Sequence, residues 1–532
     1  MSAREHSTPS AGTLAYRSPA GRRLLTATVL GSAMGFLDAT VVNVALPAIG
    51  RDVHADVPTL QWVLDSYLLT LAALILLGGS LADRYGRRRI FLLGVVCFVV
   101  PSVLCAVAPG AAILVLARAL QGVGAALLTP GSLALIQASY RPADRARAIG
   151  TWSALTGVAS ALGPIVGGWL IDAFSWRWIF LINVPIGLLV LAVTARHVPE
   201  SRAPVTGGRL DVTGAALVTA GLAGVTYALI EGPRGQSPGW VTATALFAGL
   251  AALAGFVRTE RRADSPMLPP GVFGAGQFLS ANAVTFVVYA ALGGVFFLLV
   301  VFLQTSLGYS PLYAGAASLP VTLLMLALSS RAGALAQRVG PRIPLTAGPM
   351  LLAAGMLLML RIGVDDGDGP AGYAGSVLPA VLVFGLGLAT TVAPVTATAL
   401  AAAPAEHSGI ASGVNNAVSR LAQLAAVAAL PVAAGIGGRD FQDPRALTEG
   451  FHRAMLITAG LAVAGGLLAL VTVRSDVLET AHAPERATAR EPGVTEAEQC
   501  PFECPVAGTP LRPGPEPPAP PEGPAPGART GR

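Results

Sequence analysis

Fourteen times along this chain an apolar run comes up that is long enough to cross a bilayer, roughly 20 residues as an α-helix. A helix is also the form that satisfies its own backbone in hydrocarbon. The runs are read as spans 1 to 14, over residues 24–49, 60–82, 90–109, 111–138, 148–171, 178–195, 212–231, 239–257, 278–305, 311–331, 342–361, 374–402, 409–436 and 453–473. Composition points the same way. Hydrophobic residues make up 53% of the chain, charged ones only 12%, and mean hydropathy is +0.64. The fold class expected is an all-α polytopic membrane protein.

All 35 basic residues are arginine, and the chain holds no lysine. That excludes a Walker A phosphate loop, which needs Gly-Lys-Ser/Thr, and a lysine Schiff base. A His-Glu-x-x-His metal motif is also absent, so neither an enzyme, nor a metal site, nor a cofactor is expected. The formal charge of +6 is dispersed over short connectors, which does not suit nucleic acid. Four cysteines give no disulfide framework. Cys97 and Cys105 read as packing residues of span 3, and Cys500 and Cys504 fall in the tail. Residues 1–21 are polar and the first apolar run carries Asp38, so this run is expected to be a span and not a cleavable signal.

An even number of spans puts both termini on one side. Connectors on that side, with the N-terminal segment, hold twenty arginines, and those on the other side hold seven. The arginine-rich side is the cytoplasmic one by the positive-inside rule. The densest cluster is Gly79-Ser-Leu-Ala-Asp83-Arg84-Tyr-Gly86-Arg87-Arg88-Arg89, between spans 2 and 3. A weaker copy, Gly333-Ala-Leu-Ala-Gln337-Arg338-Val-Gly340-Pro-Arg342, lies 254 positions on, before span 11. The repeat is therefore eight spans long: spans 1–6 correspond to 9–14, and spans 7 and 8 are inserted. Segments 141–150 and 404–413, before spans 5 and 13, agree with it. The expected organisation is a cytoplasmic N-terminal segment (1–21), a six-helix bundle (22–195), a linker with two inserted helices (196–277), a second six-helix bundle (278–473) and a disordered cytoplasmic tail (474–532). Two repeated bundles are a secondary-transporter architecture, with substrate bound between them.

With these blocks in place, residues 22–473 resemble the major facilitator superfamily, specifically its fourteen-helix drug–proton antiporter family. Leu37-Asp38-Ala-Thr-Val-Val-Asn43-Val-Ala-Leu-Pro47 resembles the span 1 signature, and Gly79–Arg89 the motif between spans 2 and 3. Arg118-Ala-Leu-Gln121-Gly122-Val-Gly124 resembles the span 4 motif. Gly163-Pro164-Ile-Val-Gly167-Gly168 resembles the antiporter motif of span 5, with Ala159 where its leading glycine usually stands. Trp176-Arg177-Trp178-Ile-Phe-Leu-Ile-Asn183-Val-Pro185 resembles the block that opens span 6.

A charge at mid-span costs about 2.5–3.5 kcal/mol on insertion scales, so Asp38 should face a cavity or a partner. Two readings are open, a proton carrier or a structural hydrogen bond, for instance to Asn43. Arg118 is the natural partner, as the only charge in span 4 and one that cannot lose its proton. The resemblance implies a proton-coupling role for Asp38 and Arg118, against a plain tie between spans 1 and 4. Asp65 is a second titrating site, a contact for cationic substrates, or a hydrated group near the outer headgroups. Spans 9–14 hold no Asp or Glu, and apart from arginines at the span ends their only internal charge is Arg420, which places any carboxylate path in the first bundle. Asn43, Gln121, Asn282, Tyr289, Gln304 and Asn415 are candidate substrate contacts, each also readable as an interhelical hydrogen-bonding group. Gly163, Pro164, Gly167 and Gly168 form a hinge or seal, or ordinary close packing. The resemblance makes Gly79, Asp83, Arg84, Gly86 and Arg87 a conformational latch, with Asp83 expected to meet a helix N-terminus or an arginine across the bundle interface.

The function expected is proton-coupled efflux of drugs or antibiotics across the cytoplasmic membrane by a monomer. Its partners are the bilayer, protons and an amphipathic small molecule. A dedicated exporter of a metabolite, lipid or siderophore is the alternative on the same machinery. A non-transporting membrane sensor on the same fold is the alternative from another class.

Overall fold

A computed structural model describes residues 14–202, 211–235, 237–263, 276–363, 372–403, 408–438 and 440–480. Fourteen of its helices are long and apolar enough to cross a membrane. They are α1 (Pro19–Asp52), α2 (Val57–Tyr85), α3 (Arg87–Ala106), α4 (Ala111–Ser139), α5 (Pro142–Ala173), α6 (Trp178–His197), α7 (Val212–Glu231), α8 (Gly239–Glu260), α9 (Gly276–Thr305), α10 (Pro311–Val339), α11 (Arg342–Arg361), α12 (Tyr373–Ala401), α13 (Ile410–Ala433) and α14 (Pro444–Thr472). The expected spans are all present, in order. Large apolar side chains such as Leu116, Trp240, Phe247 and Val471 stay exposed on them, as suits a multi-pass chain bathed in lipid.

Several ends differ from the sequence reading, each for a local reason. α5 starts at Pro142, where a proline in the first turn loses no hydrogen bond and Asp144 meets the positive helix end. Arg145 and Arg147 therefore belong to α5 and not to a connector. α14 starts at Pro444, because the Asp443 side chain accepts from the backbone N–H groups of Arg445 and Ala446. That start brings Glu449 into a helix and corrects the reading that the last six spans hold no acid. Glu449 is exposed near the helix end, away from mid-membrane. Residues 404–407 and the tail with Cys500 and Cys504 lie outside the described residues.

The connector between α2 and α3 shrinks to one residue. Gly86 has φ +114°, in the region that favours glycine, and joins Tyr85 at the end of α2 to Arg87 at the start of α3. Its counterpart Gly340 has φ +81°. Each is roofed by chain that follows the last helix of its own half. A side chain at Gly86 would run into Glu200, and one at Gly340 into Ser475.

The repeat is visible in the packing. In the first half α4 packs on α2 and α3, α5 and α6 pack on α1, and α6 packs on α3. In the second half α12 packs on α10 and α11, α13 and α14 on α9, and α14 on α11. Each neighbour pair reappears eight helices later. The halves meet through α2 with α13, α5 with α10, and α1 with α9, an arrangement with two-fold pseudo-symmetry. α7 lies against α2 and α13, over their seam, and α8 packs on α7. Trp62 of α2 donates to Glu231 of α7 at 3.0 Å, and Arg234, just after α7, pairs with Asp56 at 2.8 Å and Glu231 at 3.3 Å.

At the end away from the arginine-rich connectors the halves are sewn together. Gln61 Nε2 donates to the carbonyls of Val427 (2.6 Å) and Ala428 (3.1 Å), and Gln304 Nε2 to that of Val44 (2.8 Å). The Val57 N–H donates to Gly438, and Asp172 accepts from Ser310 Oγ and the Leu312 N–H, both at 3.0 Å. α5 meets α10 chiefly through Pro311–Ala317, at this same end.

Candidate functional site

The densest buried polar group sits inside the first half, where α1, α3, α4 and α6 converge. Asp38 is 1% exposed and so is Arg118. Arg118 Nη1 donates to Asp38 Oδ2 at 2.5 Å and to Gln121 Oε1 at 2.6 Å, and Arg118 Nε donates to the Val63 carbonyl at 3.2 Å. Gln121 Nε2 donates to Asp38 Oδ1 and to Ser102 Oγ, both at 2.9 Å. Asn183 Nδ2 approaches Asp38 Oδ1 at 3.4 Å and Ser102 Oγ at 3.5 Å. The guanidinium lies 4.3 Å from the centre of the Tyr67 ring and 5.8 Å from that of Phe180, a cation–π setting. Arg118 and Gln121 are one turn apart on α4, which points both at the same carboxylate.

The neighbours of Asp38 all present donors to it. A protonated Asp38 would need an acceptor for its O–H, and the one within reach is an amide oxygen brought round by rotation. Asn183 Oδ1 is buried and has no hydrogen-bond partner among the described residues. Turning that amide would offer the oxygen to Asp38.

Of the residues singled out in the sequence, Asp38, Arg118 and Gln121 come together here. Asn43 does not join them: its Nδ2 reaches back to the Ala39 carbonyl at 3.4 Å. Asp65 is fully buried on α2, and neither carboxylate oxygen has a hydrogen-bond partner among the described residues. It lies one turn from Gln61 and one turn from Leu69, on the face that meets α13 and α7. This burial argues against the hydrated reading of Asp65. Asn415 Nδ2 donates to Asn282 Oδ1 at 3.3 Å and to Thr285 Oγ1 at 3.0 Å, inside the second half. Gln304 belongs to the seam at the end away from the arginine-rich connectors. Tyr289 is half-buried on α9.

The glycine-rich segment of α5 has two faces. A Cβ at Gly163 would strike Thr40, and one at Gly167 would crowd Val41, so these two let α5 lie on α1. A Cβ at Gly168 would overlap the backbone of Pro311 and Leu312, and one at Gly315 the backbone of Pro164. Pro164, Gly168 and Gly315 thus bring α5 and α10 into backbone contact across the halves.

In the Gly79–Arg89 block, Asp83 Oδ1 accepts from Arg87 Nε at 2.9 Å and Nη2 at 2.7 Å. In this conformation Asp83 is tied to Arg87 across the Gly86 turn and not across the bundle interface. Arg88 donates to the Thr194 and Ala195 carbonyls and so caps the C-terminal end of α6. Arg84 lies 5.9 Å from the Tyr85 ring centre, and Gly79 packs near Pro130.

Sequence reasoning missed Ser102 as a member of the site. A single hydroxyl in an apolar span reads as packing, and only the fold places it beside Gln121. Asn183 was noticed within its motif but given no part in the Asp38 network. A lone amide one turn into an otherwise apolar helix was the available signal.

Comparison with known proteins fits this arrangement. The family model described as Major Facilitator Superfamily matches residues 28–427. "Multidrug resistance protein Stp" of Mycobacterium tuberculosis (strain CDC 1551 / Oshkosh) is 38% identical over 397 residues, covering 74% of this chain and 72% of that protein. "Puromycin resistance protein pur8" of Streptomyces alboniger is 36% identical over 453 residues, covering 83% and 88%. A crystal structure of the peptide transporter POT in complex with sulfate superposes with TM-score 0.62 at 18% identity, covering 86% of this chain and 96% of that one, which shows a shared fold. The chain belongs to the Major Facilitator Superfamily.

Proposed function

We propose that the protein is a proton-driven exporter of amphipathic small molecules, antibiotics among them, in the cytoplasmic membrane. The observation that carries this reading is the sealed Asp38–Arg118–Gln121 group within a two-half transporter fold. The names of the relatives, which concern multidrug and puromycin resistance, supply the substrate class. The excess of arginine at the helix ends and connectors on the side of both termini supports a cytoplasmic placement for them. The outer seam is then closed, and the conformation is the one that receives substrate from the cytosol or inner leaflet.

In this reading a proton arriving from outside competes with Arg118 for Asp38. The pair opens, Gln121 and Asn183 re-orient, and α4 and α6 shift against α1. Asp65, buried without partners beside α7 and α13, is the second proton site. Asp83 and Arg87 part and re-pair across the halves when the outward-open state forms. Helices within 22–195 and 278–473 move as two bodies, with 196–277 between them.

Everted membrane vesicles from a host stripped of its own pumps test the reading. Uptake of ethidium or a labelled antibiotic should collapse when the proton gradient is discharged. Transport that persists without the gradient would sink the coupling, and a C-terminal tag reached from outside the cell would overturn the orientation.

A further inference from the structure

We propose that Arg420 is the recognition cation for an anionic group, a carboxylate or similar organic anion, on the exported molecule. This rests on the efflux reading and narrows it. Arg420 sits on α13 of the second half. Its Nη1 donates to Gln423 Oε1 at 3.3 Å, and its Nε is buried without a hydrogen-bond partner among the described residues. Its guanidinium lies 5.8 Å from the ring centre of Phe36, which belongs to α1 of the other half. Tyr67 of α2 and Tyr289 of α9 lie within reach of its charge. The side chain is thus half-buried and aimed at the line where the halves meet.

No ion pair to Arg420 is found among the described residues. The contrast with Arg118 is sharp. Arg118 is sealed, and its donors go to a carboxylate, an amide oxygen and a carbonyl. A guanidinium has five donors in a planar fork that fits a carboxylate. Arg420 leaves most of that fork unused at membrane depth, where an uncompensated charge is costly and marks a substrate path. The two acids of the spanning region nearest by function do not offset it, since Asp38 is committed to Arg118 and Asp65 is fully buried. The charge that a substrate meets between the halves is therefore positive. Asn416 and Gln423 recur with Arg420 at i, i+4 and i+7, so one face of α13 pairs the cation with neutral polar groups for the rest of the molecule.

The test uses three probes with one apolar body: pyrenebutyrate, its neutral amide, and the matching quaternary ammonium. Each is titrated into purified protein in detergent, with binding read by energy transfer from tryptophan to pyrene. The wild type should bind the carboxylate about tenfold more tightly than the amide, and the ammonium most weakly. Arg420→Gln should erase the carboxylate preference and leave amide affinity unchanged, while Arg420→Lys should keep part of it. Equal or reversed preference in the wild type would overturn the proposal, as would binding of none of the three. Equal weakening of all three in Arg420→Gln would make the residue structural and also overturn it. Gradient-driven ethidium uptake by wild-type everted vesicles reports on efflux separately. Such uptake without a carboxylate preference would leave the efflux reading standing and remove this one.

Discussion

Asp38→Asn separates a proton-coupling carboxylate from a structural tie. The aspartate accepts from Arg118 at Oδ2 and from Gln121 and Asn183 at Oδ1. An asparagine has one oxygen to serve both sides. If it faces Arg118, its NH₂ meets the Gln121 Nε2 donor. Turning Gln121 to relieve that clash would break its bonds to Arg118 and Ser102. The substitution also strips Arg118, 1% exposed, of its counter-charge. Breaking a buried pair by removing one partner costs about 3–5 kcal/mol. The retained Arg118 bonds to Gln121 and Val63 hold the loss to the lower end of that range. Asp38→Asn should therefore lower the unfolding temperature of purified protein by several degrees and abolish gradient-dependent uptake into everted vesicles. The double variant Asp38→Asn/Arg118→Gln removes both charges. It should recover most of the lost stability and none of the coupling. Coupled transport restored in the double variant would show that Asp38 is there only to neutralise Arg118, and would refute the reasoning.

Gly168→Ala adds a methyl where the Pro311 and Leu312 backbone lies, so it should part α5 from α10 and cut transport at least about tenfold with membrane abundance kept, as read by uptake against immunoblot. Asp83→Asn removes a half-exposed i,i+4 pair with Arg87 worth under about 1 kcal/mol; if Asp83 re-pairs across the halves as proposed, the unfolding temperature should barely move while uptake falls. Glu231→Gln weakens the tie of α7 to Trp62 and Arg234 by about 1 kcal/mol; a small fall in thermal stability with near-normal uptake is expected, and lost uptake would give α7 a part in transport beyond covering Asp65.

The helices were legible because a bilayer leaves few choices: run length alone located α1 to α14. The repeat was legible because a tight turn at a positive φ demands glycine in both copies, at Gly86 and Gly340. The ends of α5 and α14 were not, since Pro142 and Asp443 act through local capping that a hydropathy run does not register. Asp38 and Arg118 stood out as mid-span charges, and charge is costly enough to be conspicuous. Ser102 and Asn183 did not, because a neutral polar group in a span has many cheap partners and only the crossing of α3 and α6 decides which one it finds. The Asp83–Arg87 pair was not legible, because an acid four residues before an arginine across a glycine turn can close on it or on a partner elsewhere.

In the proposed transport cycle, the backbone contact of Gly168 with Pro311 and of Gly315 with Pro164 would serve as a fulcrum close to one end of two long rods. From Gly168 back to Pro142, α5 extends about 39 Å at 1.5 Å per residue. A rocking of about 10° around the fulcrum would carry that far end through about 7 Å, the breadth of an aromatic ring with its neighbours, while the fulcrum itself slides by a fraction of an ångström. Mechanical advantage of this kind would let a proton-sized event at Asp38 produce a drug-sized opening in the proposed cycle. The strain of such a motion would then fall on Gly168, Pro311, Gly315 and Pro164, where one added methyl is multiplied by the full length of the arm.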